Sequence, residues 1–180
     1  MLGMLRLGVR SGYAIKKATD ISARFFWPTS FSQVYPELTE LEQNGLVTRR
    51  DDSRGARPRS AYEVTEEGET ALIEWLRSPV TTPLKFRDEG VLRLYFADEL
   101  SREEQLRLVW RMRERARASE HELREEILPL ADPLIEKGIV FPGTVAKLGI
   151  DTFAYVEQWL GRLEAELEEA LPRDRGHGVS

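Results

Sequence analysis

The stretch Ser30–Leu46, SFSQVYPELTELEQNGL, decides how the rest of the chain is read. Val34, Leu38 and Leu41 recur at spacings of four and three, which predicts a helix of about four turns with these residues on one face. Glu37, Glu40, Gln43 and Asn44 fall away from that face, and Gly45 stands where a helix end commonly needs a left-handed residue. Ser30-x-x-Gln33 has the spacing of a capping box. Pro36 complicates the start: with Ser30 as cap it is the sixth helical residue and removes a hydrogen bond. The helix therefore starts nearer Ser32, or its first turns are distorted so that Gln33 and Tyr35 swing outward. An arginine-rich hairpin, residues 47–65, follows at once. A short amphipathic helix before a basic hairpin is the layout of a winged helix, in which the helix enters the major groove and the hairpin touches backbone.

Within the hairpin, Leu46–Arg50 and Ala61–Thr65 alternate as two paired strands, with Tyr62 and Val64 sharing a face. Gly55 and Pro58 mark the turn region. Arg49, Arg50, Arg54, Arg57 and Arg59 fall within eleven residues, diluted by Asp51 and Asp52 at the base of the loop. A basic loop is often merely solvated. Its place after a candidate recognition helix favours phosphate contact.

On the N-terminal side, residues 2–7 read as a short apolar helix ended by Gly8. Ser11 can cap a second helix, with Gly12 and Tyr13 in its first turn. Ala14, Ile15, Ala18 and Ile21 give it a buried face, with Lys16 and Lys17 on the other side. Phe25-Phe26-Trp27-Pro28 breaks the pattern, and core packing is the ordinary use of such rings. After the hairpin, Thr65 caps a helix whose first turn carries Glu66, Glu67 and Glu69, charges suited to its positive end. Ala71, Leu72, Trp75 and Leu76 form its expected buried stripe. Ser78-Pro79 ends it, and VTTPLK reads as an interdomain linker.

A chain of 180 residues with 41% apolar and 32% charged residues suits a soluble protein with a modest core and much exposed helix. No apolar run approaches the length of a membrane span, and the N-terminus is too quickly interrupted for a secretory signal. Cysteine is absent, which excludes disulfides, thiolate zinc sites and thiol nucleophiles and fits a cytoplasmic home. The net charge of -5 speaks at first against nucleic acid. Of the 26 basic and 31 acidic residues, however, 11 and 11 fall in residues 1–78, leaving 15 and 20 beyond them. The acidity belongs to the second half, and local patches decide phosphate attraction.

From residue 86 the pattern is helical throughout. Phe86–Asp98 carries Val91, Leu92, Leu94, Tyr95 and Phe96. Ser101 opens a long helix whose seam holds Arg113, Ala116, Glu120, Leu123 and Ile127, mixed in the middle, before Pro129 and Pro133 end it. Pro142-Gly143 precedes a last helix, roughly 144–171, with a stripe of Phe153, Val156, Leu160, Leu163, Leu167 and Leu171 at the coiled-coil interval. That stripe must be covered, either by a twin or by the helix at 103–128; Phe153, Val156, Leu160, Leu163 and Leu167 are taken as the dimer interface.

SGYAIKK at 11–17, FWPTSFSQVYPELTELEQNGLV at 26–47 and RPRSAYEVTEEGE at 57–69 resemble the PadR family of transcriptional regulators, in the right order and spacing. The second half resembles that family's helical domain in length and layout. The resemblance implies a winged helix-turn-helix DNA-binding domain over 1–78 and an antiparallel, coiled-coil-like helical dimerisation domain over 79–172, with a disordered tail at 173–180. The fold class is thus mainly α with a small β-hairpin wing. It further implies a homodimer that binds double-stranded DNA at a palindromic operator, represses transcription and in some members is relieved by a small molecule.

Carried over by residue, Tyr13 matches the tyrosine of the family's second helix, and Ser32, Gln33, Tyr35 and Pro36 match the start of its recognition helix. Arg57 and Arg59 match basic wing positions and Tyr62 the wing tyrosine. The expected DNA-contacting set is Tyr13, Lys16, Ser32, Gln33, Tyr35, Arg54, Arg57 and Arg59. Gln33 serves either as cap or as base contact. Two features depart from the family pattern: the first helix begins at Met1, where members usually carry several more residues, and Phe31 places an apolar ring where a small or polar residue is common.

Trp110 and Trp159 are candidates for an effector pocket, although packing is the ordinary role of tryptophan. The two histidines, His121 and His177, lie on a charged helix and in the tail, and no phosphate loop, metal spacing or nucleophile motif is present, so neither catalysis nor a cofactor is expected. The rival is an adaptor that keeps the winged helix without the DNA; the retained wing arginines argue against it.

Overall fold

A computed structural model describes residues 1–52, 59–81 and 87–169, with backbone alone at 51, 52 and 59. The chain divides into two compact units, Met1–Pro83 and Leu84–Ser180.

The first unit runs α1 (Leu2–Arg6), α2 (Gly12–Ser22), α3 (Phe31–Gln43), β1 (Val47–Asp52), β2 (Arg59–Val64) and α4 (Glu66–Arg77). Gly8 at φ +88° turns the chain between α1 and α2, and the Ser11 hydroxyl accepts the Ala14 N–H at 3.2 Å to start α2. Leu5, Ile15, Val34, Leu38, Val47 and Tyr62 form the core, with Leu41 and Val64 against its margin. Each such aliphatic residue contributes at most about 1.5–3 kcal/mol by area. The strands are antiparallel, Val47 opposite Val64 and Arg49 opposite Tyr62, and extend further toward the turn than the alternation alone suggests. The Tyr62 N–H donates to the Arg10 carbonyl at 2.7 Å, tying β2 to the α1–α2 connection.

Several expectations are corrected here. Helix α3 keeps its Ser30 cap and runs on through Pro36 to Gln43, so the start near Ser32 is not adopted. Ile21 is exposed; Thr19 takes the inward place, its hydroxyl donating to the Ile15 carbonyl at 3.0 Å. Phe26 and Trp27 face solvent rather than the core. On α4, Trp75 is 70% exposed and Leu76 is exposed too. That helix is anchored at its start, where Gly68 abuts Leu46 and Glu69 pairs with Arg6, and its last turn lies beyond the core.

The second unit runs α5 (Glu89–Tyr95), a 3-10 turn, α6 (Arg102–Glu122), a π turn Leu123–Ile127, a second 3-10 turn, α7 (Asp132–Ile135) and α8 (Phe141–Glu169). A capping box opens α6, the Ser101 N–H donating to Glu104 at 2.9 Å. Leu123 lies against Gly149 and Arg113 against Gly161, so α6 and α8 are antiparallel. Helix α8 starts at Phe141, earlier than expected, because Pro142 falls in its first turn, where a missing N–H costs nothing.

The leucine stripe of α8 is spent within the chain. Leu160 is only 1% exposed and forms a core with Val109 and Met112, against which Val156, Leu163 and Leu167 also pack. Phe153 is half-buried. Within one chain α6 covers this set, which is one of the two arrangements open to it. The mixed middle of the α6 seam has an ionic purpose. Arg113 donates to Glu157 and Glu164, each at 2.7 Å, and Arg117 donates to Glu157 at 2.9 Å. The Arg113 hydrogen bond holds the Glu157 carboxyl below its ordinary range against the opposing effect of burial, and the same bond raises the Arg113 guanidinium.

Candidate nucleic-acid interface

The exposed start of α3 is built from its own cap. The Ser30 N–H and hydroxyl donate to Gln33 Oε1 at 2.9 and 3.0 Å, and the Ser30 and Ser32 hydroxyls share a hydrogen bond of 2.7 Å. Gln33 thus commits its oxygen to capping; its two N–H donors take no part in the cap. Ser32, Gln33 and Tyr35 all stay exposed, while Val34 and Leu38 on the opposite side are fully buried.

Around this cap the rings form a ladder. Tyr13, from the first turn of α2, stacks on Phe31 at 6.2 Å and 17°. Phe31 stacks on Tyr35 at 6.2 Å and 19°. Lys16 Nζ lies 5.6 Å from the centre of the Phe31 ring. A Cβ on Gly12 would come within 2.7 Å of Tyr35 Cε1, so the absence of a side chain there is what lets α2 and α3 approach. Tyr13, Lys16, Ser32, Gln33 and Tyr35 are thereby brought to one end of the helix pair.

Lys16 is tied into its own helix. Its ammonium pairs with Asp20 on the next turn and its side chain is only 16% exposed, so it supports Phe31 rather than standing free. In the hairpin, Arg50 and Arg10 pair with Glu63 at 3.1 and 3.2 Å. Arg54, Arg57 and the Arg59 side chain lie outside the described residues. Phe31 and Gly12 were missing from the expected set. The four-residue interval between Phe31 and Tyr35 is the signal for the first; nothing short of the helix packing reveals the second.

In the second unit, Trp110 is 54% and Trp159 43% exposed, and neither borders the groove between α5 and α6. This groove of about 700 Å³ is walled by Leu92, Phe96, Leu100 and Leu108, with Arg93, Arg107, Arg111 and one carboxylate, Glu104, at its polar side. Val109 takes the inward place next to Trp110, and Leu160 the one next to Trp159. Among the described residues no cluster could hold a metal ion, and no helix is long and apolar enough to cross a membrane.

A capped amphipathic helix with an exposed start, packed on a shorter helix and followed directly by a two-stranded hairpin, defines a winged helix-turn-helix DNA-binding protein. Residues 1–74 match the transcriptional regulator PadR-like family. The chain is 32% identical over 138 residues to the negative transcriptional regulator PadR of Bacillus subtilis, covering 74% of this chain and 76% of that protein. It belongs to the PadR-like family and is a DNA-binding transcriptional regulator. The crystal structure of Bacillus subtilis PadR in complex with operator DNA is 27% identical, covers 92% of this chain and 94% of that one, and superposes with a TM-score of 0.81. The same protein in complex with p-coumaric acid is 26% identical, covers 93% and 95%, and gives 0.72.

Proposed function

We propose that this chain is a homodimeric repressor that reads a palindromic operator with α3, grips phosphate with its wing arginines and is released by a small aromatic acid. It acts in the cytoplasm by occupying DNA, without catalysis. The observation that carries this reading is the likeness, over nearly the whole chain, to a relative crystallised on operator DNA, joined to an α3 start whose polar and aromatic groups are exposed.

Two such helices related by a two-fold axis read half-sites about 34–36 Å apart. With the leucine stripe covered, the pairing face of the second unit is a different side of α8. Phe141, Val145, Leu148, Tyr155 and Trp159 are all exposed there and recur at heptad intervals interrupted by Thr152. The aromatic-acid effector is suggested by the relative bound to p-coumaric acid and by the α5–α6 groove, whose apolar walls and arginines suit a ring bearing a carboxylate.

The test is to sequence the fragments that the purified full chain retains from a random duplex pool. A two-fold symmetric motif is expected, and p-coumarate should lower retention. Replacing Arg54, Arg57 and Arg59 by alanine should weaken all duplexes alike and flatten the salt dependence. Gln33→Ala should relax sequence preference, with circular dichroism controlling for the lost cap. Retained fragments without a symmetric motif would sink the operator reading.

A further inference from the structure

We propose that Phe31 reads the 5-methyl group of a thymine in each half-site, and that Tyr13, Tyr35 and Lys16 hold its ring in place for that contact. The inference rests on the DNA-binding function proposed above and adds a specificity determinant to it.

Phe31 is the first residue of α3, and the first residues of a recognition helix are the ones that meet base edges. Its ring is 46% exposed and stands outside the core of the first unit. A hydrophobic staple would not explain it, because that device uses the residue before the cap rather than the one after. The ring has no donor or acceptor and so offers nothing to a phosphate. On the major-groove edge of a base pair the apolar group is the thymine methyl.

The ring is also braced as a contact surface must be. It stacks on Tyr13 and on Tyr35, nearly parallel to both, with the Lys16 ammonium 5.6 Å from its centre. Lys16 is fixed in turn by Asp20, and the place of Tyr35 depends on the missing Cβ of Gly12. An apolar probe held by three neighbours loses little side-chain freedom when it docks. Both flanking rings are exposed and end in hydroxyls that can donate to the duplex on either side of the methyl. A cytosine methylated at C5 presents the same group, so one C·G pair at that position is read only when methylated.

The experiment uses the full chain and a duplex selected from the random pool. Each thymine is replaced in turn by deoxyuridine, which removes the methyl and nothing else. Burying a methyl is worth about fourfold in affinity, hence about fifteenfold when both half-sites are changed. One symmetry-related thymine pair should show that loss for the wild type. Phe31→Ser should bind thymine and uracil duplexes equally, and Phe31→Leu, which keeps an apolar surface, should still discriminate. Uracil tolerated at every position, or a uracil penalty that survives in Phe31→Ser, overturns the assignment while leaving DNA binding intact. If the wild type selects no duplex at all, the DNA-binding reading falls and this one with it.

Discussion

Gly68→Ala tests how the hairpin is joined to α4. A Cβ at this position would lie 2.0 Å from the Leu46 carbonyl oxygen and 2.8 Å from Val64 Cγ1. The backbone must open by about 1 Å, since contacts under 3.0 Å are essentially never seen for a real Cβ. That carbonyl accepts the Thr65 N–H at 3.1 Å, while the Thr65 hydroxyl donates to the Gly45 carbonyl at 2.7 Å and accepts the Gly68 N–H at 3.0 Å. Opening the gap breaks the first of these bonds, which costs about 1–3 kcal/mol if the groups stay dry. Overpacking against Val64 adds about 1–3 kcal/mol. The better helix propensity of alanine returns about 1 kcal/mol. The expected net loss is about 1–5 kcal/mol, read by urea denaturation of the full chain together with hydrogen exchange at the Thr65 amide. Gly3→Ala is the control: a Cβ there meets nothing within 4 Å, so it should be neutral or slightly stabilising. A Gly68→Ala protein within about 0.5 kcal/mol of the wild type, with the Thr65 amide still protected, refutes the reasoning.

Gly12→Ala should displace the Tyr35 ring, because its Cβ would sit 2.7 Å from Cε1; DNA affinity by fluorescence anisotropy is expected to fall more than stability does. Leu160→Ala should destabilise the second unit by about 2–5 kcal/mol at every protein concentration, because its partners lie in the same chain. Leu148→Asp with Tyr155→Asp, on the exposed face, should instead lower the mass seen by light scattering without unfolding the chain. Glu157 has its carboxyl held below the ordinary 4.5 chiefly by Arg113, so its stabilising contribution is complete above that value and disappears as pH falls through the lowered one. Glu157→Gln should therefore flatten the acid limb of a denaturation series run from pH 7 downward.

The first unit was legible because its signals are local. Caps, turn glycines and the Val34–Leu38–Leu41 spacing each act within a few residues, and the structure keeps all of them. The errors lie where burial depends on what happens to be nearby. Trp75 and Leu76 continue a good apolar stripe, yet α4 outruns the core that would have covered it. Trp110 and Trp159 look like a pair on paper, but each stands beside the residue that faces inward, Val109 and Leu160. Gly12 carried no signal at all, since its role depends on a side chain arriving from another helix.

The reading of α8 shows why a heptad stripe alone cannot name its partner. The helix bears two apolar faces, one rich in leucine and one interrupted by Thr152 and rich in aromatics. Periodicity ranks the leucine face first, but it says nothing about which face meets α6. The ions decide. Arg113 and Arg117 on α6 find Glu157 and Glu164 only when the α8 face that carries Leu160 is turned toward them. Turning the aromatic face inward separates Arg113 from both carboxylates and leaves a partly buried cation unpaired. That loss is large beside the exchange of one apolar face for another of similar area. The charges that made the α6 seam look weak thus select which face of α8 turns inward, and the face they leave outside is the one a second subunit can use.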